Sequence, residues 1–322
     1  MIAFMLTAYV MTDGYDLGVA AISPLIARTD RERAAVMASI GPFWNGNEVW
    51  LVAAGGALFA LFPVAYASSF SGFYLPFVIV LWLLMFRGLA MELREHFHSE
   101  LWHQFWDAAF WLSSLLLILV FGVALGNLMR GLPLDASGYF RGTFGVLLNP
   151  YALLIGVAAI VTLGLHGACF VTMRVEGEPA ARALSLLRRA WWALLGTFVA
   201  VSFATFAVRG APSGKPWLFA APVVSLIALV AMRLLGARGR FAAAFAASCA
   251  FIATLLLEAA GTLYPYLLPA LPAQAGGISI FAAAPSPVGL TCALVATIAG
   301  IVTVLAYSTY VWRRMAGKVS VE

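Results

Sequence analysis

A few polar side chains stand in apolar surroundings, and they are the ones whose types could do chemistry. Asp13 and Asp16 lie at i and i+3, so on a helix they share a face. Glu48 lies within Gly41-Pro42-Phe43-Trp44-Asn45-Gly46-Asn47-Glu48-Val49-Trp50. Glu258 follows Leu255-Leu256-Leu257 and is the most isolated acid. A carboxylate in such a place can relay protons, contact a quinone head, or accept hydrogen bonds from a helix end or an arginine. Each also has a structural reading. Asp13 and Asp16 can close a helix end, and Glu258 can pair against a neighbouring helix. Arg87 and Glu92 read as residues near a membrane interface, with the arginine stem snorkelling outward. Asp107 reads as an interfacial acid near a helix start, where a carboxylate is favoured.

The histidines are His96, His98, His103 and His166. The first three fall between Arg94 and Phe105, where a solvated loop is the default. His166 is embedded in an apolar run and could ligate haem. That chemistry wants a second ligand, and spacing singles out neither Met173 nor Met232. Cys169, Cys249 and Cys292 lie in apolar stretches without CxxC pairing, so they read as small hydrophobes. No metal site is expected. Nucleotide-loop, dinucleotide-fold, zinc-protease and nucleophile-elbow patterns are absent. Gly55-Gly56, within Ala53-Ala54-Gly55-Gly56-Ala57, reads as close packing of helices through small residues.

The elements that carry these residues follow from composition. The 322-residue chain is 63% hydrophobic and 10% charged, with mean hydropathy +0.96. Soluble domains are about 45–50% apolar and about 25% charged. The expected class is therefore an all-α integral membrane protein, a polytopic bundle, with 1–322 forming one transmembrane domain. Long continuous apolar runs exclude a barrel. About nine spans fit, at 1–27, 50–69, 73–93, 106–128, 146–173, 190–208, 217–235, 241–267 and 290–312, each near the ~20 residues a bilayer requires. The first is the weakest, because Thr12-Asp13-Gly14 interrupts it. It leads into acids rather than a small-residue cleavage site, so no cleavable signal is expected.

Nine spans sort the 19 Lys and Arg residues. Arg28, Arg31, Arg33, Arg87, Arg94, Arg174, Arg182, Arg188, Arg189, Arg233, Arg238, Arg240, Arg313, Arg314 and Lys318 fall on one side. Arg130, Arg141, Arg209 and Lys215 fall on the other. The positive-inside rule then puts the N-terminus outside and the C-terminus in the cytoplasm. The net charge of +5 reflects this orientation, not nucleic-acid binding. The stretch from Leu268 to Pro287 is too long for a tight turn and is expected along the membrane surface or against a partner.

Two stretches carry a resemblance. Thr12-Asp13-Gly14-Tyr15-Asp16-Leu17-Gly18 is followed by Ala27-Arg28-Thr29-Asp30-Arg31-Glu32-Arg33, and then by the Trp44-Asn45-Gly46-Asn47-Glu48-Val49-Trp50 segment. Phe70-Ser71-Gly72-Phe73-Tyr74, Arg87-Gly88, Gly126-Asn127-Leu128, Leu148-Asn149-Pro150 and Leu263-Tyr264-Pro265-Tyr266 continue the match in order. Together they resemble subunit II of the cytochrome bd quinol oxidases, densely over 12–130 and more sparsely beyond. The short connection after the sixth span looks like the compact, cyanide-insensitive type.

The resemblance implies a terminal oxidase of the bacterial inner membrane that oxidises quinol at the outer face and reduces dioxygen to water with cytoplasmic protons. It implies a heterodimer with a haem-bearing subunit I, which holds two b-type haems and one d-type haem together with the quinol site. Subunit II then binds no cofactor itself, stabilises subunit I, and lines a proton or oxygen path; a small accessory subunit is a further partner. Asp13, Asp16, Glu48 and Glu258 are the candidates for that path or a polar interface, with Trp44, Asn45, Gly46, Asn47, Trp50 and Arg87 in motif and packing roles. Trp44 and Trp50 are expected to brace an Asp13–Asp16–Glu48 cluster on the cytoplasmic half. Two departures stand out. Asn45 takes the place of a frequent family aspartate, and an amide cannot exchange a proton. The chain also has a short segment before its T-D-G-x-D motif, which suggests an upstream start or a short first span. The alternatives are a proton-coupled secondary transporter, which would show paired interrupted helices, and a purely structural subunit.

Overall fold

The structure is a computed structural model that describes residues 1–210, 215–271 and 276–321. Its helices are α1 (Ile2–Ile26), α2 (Asp30–Ile40), α3 (Trp44–Leu61), α4 (Pro63–Gly72), α5 (Tyr74–Leu93), α6 (Glu100–Arg130), α7 (Phe144–Leu147), α8 (Pro150–Arg174), α9 (Glu178–Arg209), α10 (Ala221–Ala237), α11 (Phe241–Leu263), α12 (Ile280–Ala283) and α13 (Pro287–Arg314). A small antiparallel pair, β1 (Tyr266–Pro269) and β2 (Gly277–Ser279), lies between α11 and α12.

Helix boundaries follow local chemistry. Thr29 and Glu32 form a reciprocal capping box that starts α2. Asn149 accepts from the Ala152 amide at 3.0 Å, with Pro150 opening α8. Ser286 and Pro287 start α13 in the same way. Pro63 cannot donate to the helix before it, so α3 stops at Leu61 and α4 restarts.

Among the described residues, seven helical segments are long and apolar enough to cross a membrane: Tyr74–His96, Glu100–Arg130, Pro150–Arg174, Glu178–Arg209, Pro216–Ala237, Phe241–Leu263 and Pro287–Arg314. The expected count of nine is not reached, and the missing spans are the first two. α1 is one continuous helix with both Asp13 and Asp16 inside it. The expected span 50–69 instead begins at Trp44, takes in Asn45, Asn47 and Glu48, and breaks at Phe62. Polar residues dilute the hydropathy of both. The expected span 241–267 ends at Leu263, and the chain turns there into β1.

α1 and α8 form the centre. α1 packs on α3, α6, α8 and α11, and α8 packs on α1, α6, α9 and α11. Glycines let these backbones touch. A Cβ on Gly18 would lie 1.9 Å from the Leu163 carbonyl oxygen, and one on Gly167 would lie 2.4 Å from the Gly18 backbone. α6 crosses α8 likewise, with Gly122 against Gly156 and Gly126 against Ala152. Gly55 and Gly56, expected to pack a helix, stand open: a Cβ added at either would meet nothing within 4 Å. α13 has no buried residue and leans on α3.

The two ends of the bundle differ. One end carries ion pairs: Arg94 with Asp30 at 2.5 Å and with Asp107 at 2.7 Å, and Arg182 with Glu32 at 2.8 Å. Asp107 is thus a partner of Arg94 rather than a bare interfacial acid. His103 belongs to α6, not to a loop, and faces Asp30 at 3.2 Å. At the other end β1 and β2 pack on Leu132 and Leu134, and the Leu132 amide donates to the Pro269 carbonyl at 2.8 Å. Residues 211–214 of the connection after α9, and 272–275 of the stretch from Leu268 to Pro287, lie outside the described residues.

Candidate functional site

Arg87 is the hub. It lies in the last third of α5 and its side chain is 0% exposed. Asp13, also 0% exposed, faces it as a fork on a fork: Nη2 to Oδ1 at 2.6 Å and Nη1 to Oδ2 at 3.0 Å. Nη1 also reaches Glu48 Oε1 of α3 at 3.1 Å. Asp16 Oδ2 lies 3.9 Å from Nη2. Asn47 donates to Asp16 Oδ2 at 2.7 Å and also approaches the Tyr15 hydroxyl at 2.9 Å and the Thr12 carbonyl at 3.3 Å. Three helices therefore converge through one guanidinium and one amide.

Burial decides why they converge. A lone charge in hydrocarbon costs several kcal/mol, and pairing plus hydrogen bonding offsets that cost. Asp13 and Asp16 share a face of α1 as the i, i+3 spacing requires. Asn47 and Glu48 enter from the first turns of α3. Arg87 does not snorkel, because the acids on α1 and α3 satisfy it inside. Sequence reasoning missed this, although one signal was available. Arg87 is the cation set among the apolar residues Trp82-Leu83-Leu84-Met85-Phe86, and three acids stood without a counter-charge. Glu48 is the member that keeps an open edge, with its side chain 26% exposed. Among the described residues, Asp16 Oδ1 and Arg87 Nε have no hydrogen-bond partner.

The other motif residues take separate places. Trp44 lies against Gly88, one residue past the hub, about where a Cβ would meet its ring at 3.5 Å. Trp50 is buried and meets Phe4 edge-on at 6.0 Å, in a cluster with Met5, Ala8 and Tyr9. Gly46 gives α13 its approach, since a Cβ there would be 2.9 Å from the Tyr307 ring. Asn45 points away and is exposed.

Glu258 is not part of the hub. It lines a cavity of about 560 Å³ bounded chiefly by α1, α6, α8, α9 and α11, whose polar walls include Tyr9, Tyr151, Arg209 and Lys215. His166 is buried, with Nδ1 2.7 Å from Ser248 Oγ and Nε2 3.0 Å from the Met11 carbonyl. Both ring nitrogens are engaged, so its geometry does not fit an axial haem ligand. Met232 is packed in the core with Trp191 and Leu229. Among the described residues no group of three or more His, Cys, Asp or Glu could hold a metal ion.

Comparisons with known proteins bear on what such a site serves. The family described as "Cytochrome bd terminal oxidase subunit II" matches residues 1–315. "Cytochrome bd-I ubiquinol oxidase subunit 2" of Escherichia coli (strain K12) is 29% identical, over 100% of this chain and 94% of that protein. "Probable cytochrome oxidase subunit 2" of Haemophilus influenzae is 30% identical over 99% of this chain and 93% of that protein. "Cytochrome bd ubiquinol oxidase subunit 2" of Bacillus subtilis is 36% identical over 59% of this chain and 56% of its own length. A chain in the solved bd oxidase from Geobacillus thermodenitrificans has the same fold, with TM-score 0.82, 19% identity, and coverage of 98% of this chain and 96% of that one.

Proposed function

The chain belongs to the cytochrome bd terminal oxidase subunit II family, and from that premise we propose that its Arg87 hub holds and passes protons toward the oxygen-reducing partner. The protein is a subunit of a bacterial, membrane-embedded quinol oxidase complex that contains haem and a partner oxidase subunit. Nothing in the comparisons favours a transporter.

The finer reading is ours. The partner subunit I carries two b-type haems and one d-type haem and oxidises quinol, and a small accessory subunit completes the complex. Residues 1–322 act as one domain in the bacterial inner membrane. α1 and α3 cross the membrane with the seven more apolar segments, so the N-terminus is periplasmic and the C-terminus cytoplasmic. The ion pairs of Arg94 and Arg182 fall at the end that the cation count assigns to the cytoplasm, with the Arg141–Asp135 pair at the other, and this grouping supports the orientation.

One observation carries the mechanism: three carboxylates share one buried guanidinium, and only Glu48 keeps an open edge. With all three ionised, two negative charges would stand uncompensated in a low-dielectric site. A proton held among Asp13, Asp16 and Glu48 lowers that imbalance and can be handed on. Arg87 keeps its own proton and orients the acids. Asn47 fixes Asp16 and is not itself a proton carrier. The bound haem in the partner supplies the redox chemistry; these residues hold and move protons. Asn45 plays no part in transfer.

The test is oxygen consumption by the complex with Asp13→Asn or Glu48→Gln, alongside reduced-minus-oxidised spectra. The expected result is a fall of about tenfold or more, the scale of a lost acid–base group, or loss of the d-type haem band. Wild-type turnover and spectrum in both variants would overturn the reading.

A further inference from the structure

Proton relays depend on distances, so whatever fixes α1 fixes the relay. We propose that His166 is a positioning residue: by donating to the Met11 carbonyl, it sets the height and rotation of the α1 turn that bears Asp13 and Asp16. The inference rests on the reading that those acids carry protons.

The hydrogen-bond roles follow from the partners. A carbonyl oxygen only accepts, so the His166 nitrogen 3.0 Å from Met11 carries the hydrogen. The other nitrogen faces Ser248 Oγ at 2.7 Å. That hydroxyl also lies 2.7 Å from the Phe245 carbonyl, so its single proton goes either to the ring nitrogen or to that carbonyl, and Ser248 and Phe245 both lie on α11. The ring cannot swing. Phe245 stacks on it with centroids 5.0 Å apart, and Tyr15 meets it edge-on at 6.2 Å.

The backbone beneath His166 is equally fixed. The next residue, Gly167, is where α8 touches α1 at Gly18. From that anchor His166 reaches Met11, while Asn47 reaches the next carbonyl, Thr12, at 3.3 Å from α3. Two successive α1 carbonyls are thus gripped by two different helices, at the turn just before Asp13. The Asp13–Arg87 contact of 2.6 Å leaves no room for α1 to slide.

The experiment uses the purified oxidase complex with His166→Phe, which keeps a stacking ring but no donor, and His166→Gln, whose amide can donate to Met11. Haem content, quinol oxidase rate and the pH dependence of that rate are measured. The expected result is a haem-replete H166F complex with about 5- to 10-fold lower turnover and a displaced pH profile, since small misplacements of reacting groups are costly. H166Q should recover most of the rate. A haem-replete H166F with wild-type rate and pH profile overturns the proposal. Should H166F fail to assemble, His166→Leu takes its place, because it too removes the donor to the Met11 carbonyl. The same loss with haem retained supports the proposal, and a wild-type profile overturns it. Asp13→Asn, run in parallel, separates the two failures. If it is wild type, the proton reading falls and this inference with it; if it is impaired while the donor-less His166 variants are not, only this inference falls.

Discussion

Replacing Arg87 by methionine leaves Asp13 and Asp16 buried without their cation, with Glu48 beside them. Removing one partner of a buried pair costs about 3–5 kcal/mol, because the remaining charge keeps its desolvation penalty. R87M should therefore lower the melting temperature and the yield of assembled complex. Adding Asp13→Leu should restore part of that loss, since the two residues form one interaction. A double variant no better than R87M would show that they are not coupled. At this scale the acids were legible, because carboxylates in apolar runs identify themselves. Their counter-ion was not. Arg87 lies close enough to the end of its helix to pass for a snorkelling residue, and the partners that hold it inside are on α1 and α3. The role of Asn47 was equally hidden, since an amide that bridges Asp16, Tyr15 and Thr12 leaves no periodic trace.

Helix crossings make a sharper prediction than helix lengths. Gly18→Ala places a methyl group 1.9 Å from a backbone oxygen of α8. Backbone cannot yield as a flexible side chain can, so α1 and α8 must part, at a cost above the ~1–3 kcal/mol of ordinary overpacking. Loss of assembled complex is expected in membranes expressing the variant, whereas Gly196→Ala on α9, where a Cβ meets nothing within 4 Å, should assemble normally. Normal assembly of the Gly18 variant would contradict the crossing. Helix starts were written in the sequence by Thr29–Glu32, Asn149-Pro150 and Ser286-Pro287. Hydropathy hid the break at Pro63, since apolar residues continue on both sides of it. The glycine pairing was also hidden: Gly55-Gly56 looks like a packing motif and is bare, while Gly18 and Gly167 meet from distant parts of the chain.

Taken as a whole, the bundle is tied at one end by salt bridges that respond to acid. Glu32 of α2 accepts from Arg182 of α9 and from the Arg28 and Thr29 amides. Those bonds, the Arg182 one foremost, hold its carboxyl down at about 2, against an ordinary value of 4.5. A lowered folded-state value stabilises fully above the ordinary value and is lost as pH falls toward about 2. The stability gap between wild type and Arg182→Met should therefore shrink across that window in thermal melts; a gap that stays constant would contradict the assignment. The cation count puts Arg94 and Arg182 on one side and the structure brings them to one end, whereas their partners Asp30, Asp107 and Glu32 were not legible, because pairing depends on contacts rather than on counting. The hub has a further consequence for how the chain is made. Asp13 and Asp16 leave the ribosome first, Glu48 second and Arg87 last. Until Arg87 emerges, the earlier acids lack the guanidinium that meets them in the folded bundle, and an unpaired charge is heavily disfavoured in a bilayer. On the proposed nine-span reading, α1 and α3 with their acids ionised enter lipid together with α5, so that for this part of the molecule topogenesis and tertiary folding are a single event.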